Sequence, residues 1–395
     1  MSQKSTSRKN VLLISLDTLR ADVAYSGIFP TLRGLSESSV MFSQAISSSP
    51  LTPVSHATVL SGRQPPVHGV RHLFQESMNS EVTTLAEVLR EQGYATGAVV
   101  ASPGMNAWYG LGRGFDHYDD WVPPLADGGD ALRVVDVELR GTAMKRAPMV
   151  TERALRWFER QGPRPVLLFA HYFDSHWPYE PPEDVGIPVR NPYEGEVAYM
   201  DRSVGHLLDG LVERGLVLED TAVVLFSDHG EDLGGWYPDD HAGELGHPEE
   251  RGHGTLLFDV TQRVPLIVRA SWAGSPGTVV DSQVRLADVM STILELVDVP
   301  APETDGVSLV PMMKSGTTAE DLPAYCETFY RLELAKADPR WRHLKALTAV
   351  RKPDHKIIWE RGTENVELYD LVNDPAERSP YGFFGQAPRR GSDES

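Results

Sequence analysis

Four short, nearly continuous apolar runs constrain this chain more than anything else in it: Val11–Leu16 (VLLISL), Ala95–Ala101 (ATGAVVA), Val166–Tyr172 (VLLFAHY) and Thr221–Ser227 (TAVVLFS). A strand that is apolar on both faces belongs in a sheet covered on both sides, as parallel sheets are. Between the runs lie amphipathic stretches. Glu81–Gln92 turns Leu85, Val88 and Leu89 to one face and stops at Gly93, Val150–Gln161 turns Ala154, Leu155 and Phe158 inward, and a long helix is expected over Val197–Arg214. Val264–Arg269 and a helix around Leu286–Leu296 continue the alternation. Beyond about residue 320 the pattern changes to short runs, Lys345–Val350, Lys356–Glu360 and Val366–Leu371, separated by turn-like segments. The expected fold is α/β: a mostly parallel central sheet flanked by helices over 1–320, with a small C-terminal antiparallel subdomain and a frayed polar tail over 321–395.

Charge narrows the partners. The chain carries 37 Lys and Arg against 56 Asp and Glu, a formal charge of −19. That field repels nucleic acid polymers and anionic lipid, so neither is an expected partner, and an anionic substrate needs a local cation. The single cysteine, Cys326, excludes an internal disulfide. Val11–Leu16 is too short for a secretory segment or a membrane span. The expected location is cytoplasmic, and the oligomeric state is not encoded in any readable pattern.

Ligands in parallel α/β sheets bind beyond the carboxyl ends of strands. Asp17 directly follows the first apolar run, and Asp228-His229-Gly230 follows TAVVLFS. Two carboxylates and an imidazole there suit a divalent cation, Mg, Mn or Ca through oxygen and Zn through added nitrogen. The same residues equally suit a helix N-cap at Asp17 and a turn at Asp228. Thr52 precedes a short helical stretch starting near Ser55, where helix amides favour developing negative charge; by itself it is one loop hydroxyl among many. Asp174, His176 and Tyr179 occupy a Pro-rich aromatic loop after VLLFAHY, and His253 lies between glycines, preceded by His241 and His247.

Taken in order, these segments resemble the sulfatase family of the alkaline-phosphatase superfamily. NVLLISLDTLRAD is similar to its first metal-binding strand, LTPVSHATVLSGRQPPVHGV to its nucleophile segment and HYFDSHWPYEPP to its histidine-proline-tyrosine loop. VVLFSDHGEDLG resembles the second metal-binding strand and GHGTLLFDVTQRVPLIV the catalytic-histidine segment. The likeness spans residues 10 to 377, with departures at three places. Thr52 occupies the position where sulfatases carry the Cys or Ser that becomes formylglycine, and His56 stands where the family has Arg. GYATGAVVA keeps Gly93, Tyr94 and Thr96 but has Val100-Ala101 in place of a Gly-Lys pair, and Thr18 stands where many members have a second Asp.

The resemblance implies a metal-dependent ester hydrolase without formylglycine, using a Thr nucleophile as phosphodiesterases and phosphoethanolamine or phosphoglycerol transferases of the superfamily do. Asp17, Asp228 and His229 are expected to hold the cation with Thr52, and His176 and His253 to bind the transferring group or protonate the leaving oxygen. His56 is expected to help position Thr52. A second metal on Asp174, His176 and His253 is left open. The expected substrate is a small anionic ester, with phosphate diester or phosphonate ahead of sulfate. The alternatives are a sulfuric ester hydrolase proper, a phospho- or sulfotransferase to an alcohol, and a catalytically silent binding protein on the same fold.

Overall fold

A computed structural model of the 395-residue chain describes residues 9–134, 137–243, 247–250, 252–315 and 322–384. Eight strands form the main sheet: β1 (Asn10–Leu16), β2 (Val40–Ile46), β3 (Ala95–Val100), β4 (His117–Asp119), β5 (Val166–Tyr172), β6 (Thr221–Phe226), β7 (Arg263–Arg269) and β8 (Thr278–Arg285). Their order is β4-β3-β5-β1-β6-β7-β2-β8. β7 pairs antiparallel with both β6 and β2, and the other pairings are parallel. The four apolar runs occupy β1, β3, β5 and β6, side by side at the middle of the sheet or next to it.

Alternation along each strand feeds two cores. Val11 and Leu13 pack on one face with the helices Thr52–Ser61, Leu85–Glu91 and Asp288–Leu296. Leu12, Ile14 and Leu16 pack on the other with Ala147–Phe158 and Pro192–Glu213. Local chemistry moves helix starts from their expected places. Leu85–Glu91 starts four residues late because Thr84 accepts from the Glu87 amide while the Glu87 carboxylate accepts from Thr84 N–H, a capping box. Pro192–Glu213 starts five residues early because Asn191 caps the Glu194 amide and Pro192 takes the first turn, where no N–H is needed.

A second, five-stranded antiparallel sheet has the order β13-β12-β11-β10-β9, with β9 at Ala324–Thr328, β10 at Leu347–Arg351, β11 at His355–Glu360, β12 at Val366–Asp370 and β13 at Gly382–Phe384. The expected 320/321 boundary and the polar tail lie outside the described residues. Cys326, Ala349 and Ile358 of this sheet share a core with Ile46, Leu256 and Phe258. Beside that core is a buried ionic group. Asp259 meets Arg351 Nη2 at 2.8 Å and Lys356 Nζ at 2.7 Å, and Lys356 also meets Glu377 at 2.8 Å. Among the described residues no helix is long and apolar enough to cross a membrane.

Candidate active site

The carboxyl ends of β5, β1 and β6 lie side by side and deliver the sequence-expected residues to one point. Asp17 leaves β1 with its amide bonded to the Tyr172 carbonyl at 3.0 Å, and Asp228-His229 follow β6 after one residue. The ligand atoms of Asp17, Asp228 and His229 all lie within 4.8 Å of one another, and all three residues are fully buried. Asp17 Oδ1 and Asp228 Oδ2 are buried without a hydrogen-bond partner. Burial pushes the Asp17 carboxyl up to about 6. It also raises Asp228, where the Asp17 charge adds to the effect. His229 Nδ1–H donates to the Gly230 carbonyl at 3.0 Å, so its Nε2 lone pair faces Asp228 Oδ2 at 3.4 Å. Two acids pressed together with vacant oxygens, beside an imidazole already oriented by its other nitrogen, are a donor set that a divalent cation fits.

Thr52 opens the helix Thr52–Ser61, with Leu51 extended before it and Pro53 in the first turn. Its Oγ1 lies 3.4 Å from His229 Nε2. One turn on, His56 donates from Nδ1 to the Thr52 carbonyl at 2.8 Å and accepts at Nε2 from Ser15 Oγ at 2.8 Å. It therefore touches Thr52 through the backbone, not through the hydroxyl. Burial pushes the His56 imidazole down to about 3, so a neutral ring stands at this position.

His176 and His253 complete the arrangement, with ring centroids 4.9 Å apart and His253 4.4 Å from His229. His176 Nδ1–H donates to the Trp177 carbonyl at 2.7 Å, which leaves Nε2 as the lone-pair nitrogen. His253 Nδ1 lies 3.0 Å from Glu231 Oε1; with Glu231 ionised, Nδ1–H donates and Nε2 is the lone-pair nitrogen. Thr52, His176 and His253 line one cavity of about 300 Å³. The other expected residues lie elsewhere. Asp174 Oδ1 is taken by Arg146 at 3.0 Å and the Ala147 amide at 3.1 Å, and among the described residues Asp174, His176 and His253 form no metal-ligating group. His241 bonds the Ala376 carbonyl and stacks on Phe258. Thr18, at φ 55°, turns its hydroxyl to the Asp17 carbonyl and presents only its amide to Asp228 Oδ1, at 3.3 Å.

Sequence reasoning did not single out Glu231, His171 or Ser15. Glu231 lies two residues past His229, fully buried, with burial and then the Glu250 charge holding its carboxyl well above the usual range. The approach to it requires glycine at 252: with φ +105°, a Cβ there would sit 2.2 Å from Glu231 Oε1. His171 accepts from the Ala101 amide at Nδ1 and so donates from Nε2 to Asp17 Oδ2 at 3.1 Å. Spacing to GHG was the available signal for Glu231. For His171 and Ser15 it was the register of β1 against β5, which pairs those two residues directly.

Comparison with known proteins shows the family and the fold. The family model described as Sulfatase matches residues 9–299, and the one described as N-sulphoglucosamine sulphohydrolase, C-terminal, matches residues 249–382. The choline-sulfatase of Rhizobium meliloti (strain 1021) is 24% identical over 468 residues, covering 97% of this chain and 85% of that protein. Among solved structures, the phosphonate monoester hydrolase of Agrobacterium radiobacter superposes with a TM-score of 0.74 at 21% identity, covering 94% of this chain and 91% of that one. A protein solved in complex with its substrate D-glucosamine-2-N,6-O-disulfate gives 0.73 at 17% identity, covering 94% and 93%. Both structural likenesses concern the fold. The chain belongs to the sulfatase family, within the alkaline-phosphatase superfamily, and is a hydrolase of that class.

Proposed function

We propose that the protein hydrolyses singly charged phosphoryl esters, phosphate diesters or phosphonate monoesters, through a covalent intermediate on Thr52. The observation that carries this reading is an unmodified threonine hydroxyl lining the cavity, 3.4 Å from His229 Nε2 in the Asp17–Asp228–His229 group. Asp17, Asp228, His229 and Thr52 Oγ1 would hold a Mn, Mg, Ca or Zn ion, which would supply Lewis acidity to lower the hydroxyl pKa and neutralise ester charge. Thr52 Oγ1 attacks phosphorus in line, and the ester bond to the leaving oxygen breaks. His253 Nε2 takes the hydroxyl proton and passes it to that oxygen, with Glu231 stabilising the imidazolium. Water then attacks phosphorus, the Oγ1 bond breaks, and Thr52 is restored. His56 and Ser15 hold the turn that carries the nucleophile.

Phosphoryl esters are favoured for a chemical reason. A formylglycine hydrate releases sulfate by collapsing to the aldehyde, whereas a threonine sulfate must be attacked at sulfur. Phosphoryl threonine is resolved by a second in-line displacement. The cation missing at Ala101 is not replaced by its neighbour: Lys145 Nζ is held by the Val100 and Asp119 carbonyls, at 2.5 and 2.9 Å. A group with one negative charge needs less cationic help than a dianion.

The test is a set of matched aryl esters (phosphodiester, phosphonate monoester, phosphate monoester and sulfate) with each of the four metals. The expected kcat/KM is highest for the diester or phosphonate. Thr52→Ala should lower it about 10³-fold and Thr52→Ser about tenfold, since only the latter keeps the oxygen. A preference for the sulfate would make the protein a sulfuric ester hydrolase proper. Product transfer to an added alcohol would make it a transferase.

A further inference from the structure

The cavity above Thr52 is much larger than a phosphoryl group, and its walls are mainly apolar: Leu51, Leu73, Phe74, Phe173 and Leu334 line it. A volume of about 300 Å³ accommodates a ring-sized leaving group. Two charged side chains reach into it, Arg140 and Glu249. Glu249 is already engaged, 3.5 Å from His247 Nδ1 and 4.0 Å from Arg331 Nη1. Arg140 is not. It is only 9% exposed, and among the described residues no carboxylate pairs with it.

Arg140 is nevertheless firmly placed. Its Cζ lies 3.7 Å from the centroid of the Phe74 ring, a face-on cation–π contact. Nε donates to the Val134 carbonyl at 2.9 Å, and Nη2 donates to the same oxygen. Those bonds occupy Nε and Nη2; among the described residues no acceptor meets Nη1, and Arg140 lines the cavity. Arg140 stands near the end of the helix Val137–Gly141, and a Cβ on the next residue, Gly141, would come within 3.4 Å of His176 Cε1. Its partners are Phe74 and Val134, neither of which belongs to the acid–imidazole group around Thr52. A buried guanidinium without a counter-charge is costly, and it is the strongest available group for planar recognition of a carboxylate. In a chain of net charge −19 it is also the kind of local cation that binding an anion requires.

We propose that Arg140 is a specificity residue that selects esters whose leaving group combines an apolar, ring-sized body with its own carboxylate. The reading rests on the proposed ester hydrolysis at Thr52. The body fills the Phe74–Leu334 wall, the ester oxygen faces His176 and His253, and the distal carboxylate meets the guanidinium.

Two measurements test it separately from the chemistry at Thr52. Calorimetry on the metal-loaded full chain compares 4-hydroxybenzoate with 4-hydroxybenzamide, a leaving group with and without the charge. The carboxylate should bind at least tenfold tighter, Arg140→Gln should abolish the difference, and Arg140→Lys should restore part of it. Turnover of the two corresponding aryl phosphodiesters should show the same split in kcat/KM, with the carboxylate ester losing tenfold or more in Arg140→Gln and the carboxamide ester less than threefold. Equal affinity of the wild type for both probes overturns the proposal, as does an equal loss on both in Arg140→Gln. If the binding difference holds while neither ester turns over, the hydrolysis reading fails and the role of Arg140 stands.

Discussion

Two groups of buried carboxylates in this protein meet opposite fates. Asp17 and Asp228 sit together at the strand ends, each with an oxygen that has no hydrogen-bond partner among the described residues, and burial raises both. Asp259 lies between the two sheets, slightly more exposed, where burial alone would also raise it, but Arg351 and Lys356 hold it below the usual carboxylate range. The fold thus neutralises one group internally and leaves the other for a cation from outside. Surplus acid without an internal counter-charge marks the candidate active site. A closed set of charges marks the one that holds the two sheets together.

The largest test of this contrast is Asp228→Asn. It should lower kcat about 10³-fold or more, because several kcal/mol of charge stabilisation go with the cation. The same substitution should raise the Tm of chelator-treated protein, since it removes acid repulsion that nothing then offsets. A variant with both lower activity and a lower metal-free Tm would contradict the contrast. Lys356→Met is the counterpart. Leaving Asp259 and Glu377 buried without their shared ammonium should cost about 3–5 kcal/mol in urea unfolding. The protein still folded should keep its kcat. A loss below about 1 kcal/mol would show that the group is not closed in the way its distances imply.

The smallest effect is on pH dependence. Burial raises the Glu377 carboxyl against the opposing charge of Lys356. It stays protonated in the native state after the unfolded chain has ionised, so its contribution is complete below about pH 4.5 and fades as pH rises through the raised native value. Asp259 acts the other way, stabilising above about pH 3.8 and losing that contribution as pH falls toward its lowered native value. Glu377→Gln should flatten the decline in unfolding free energy on the alkaline side by about 1 kcal/mol and leave the acid limb in place. An unchanged alkaline limb would show that Glu377 is ionised in both states.

The Asp17–Asp228–His229 group was legible because VLLISL and TAVVLF each run out of apolar residues just before an acid, and parallel strands end on one edge. His171 was not legible: it sits inside an apolar run, and only the pairing of β5 with β1 aims it at Asp17. β2 and β8 were missed because Ser43, Gln44, Asp281 and Gln283 interrupt them, and those polar groups are accommodated by a bulge and by the Ser43–Asp281 hydrogen bond at 2.7 Å. Arg140 gave no signal at all, since its place depends on how one short helix lies against Phe74.

All ten residues of Thr52–Ser61 are buried. A helix without a solvent-facing position has few silent substitutions, so drift and laboratory evolution alike meet resistance along its whole length. New preferences in this protein must be acquired at the cavity rim, at Leu73, Phe74, Arg140, Trp177 and Leu334. A library that randomises those five positions and leaves the Thr52–Ser61 helix untouched would explore the proposed leaving groups while keeping the surroundings of Thr52 intact.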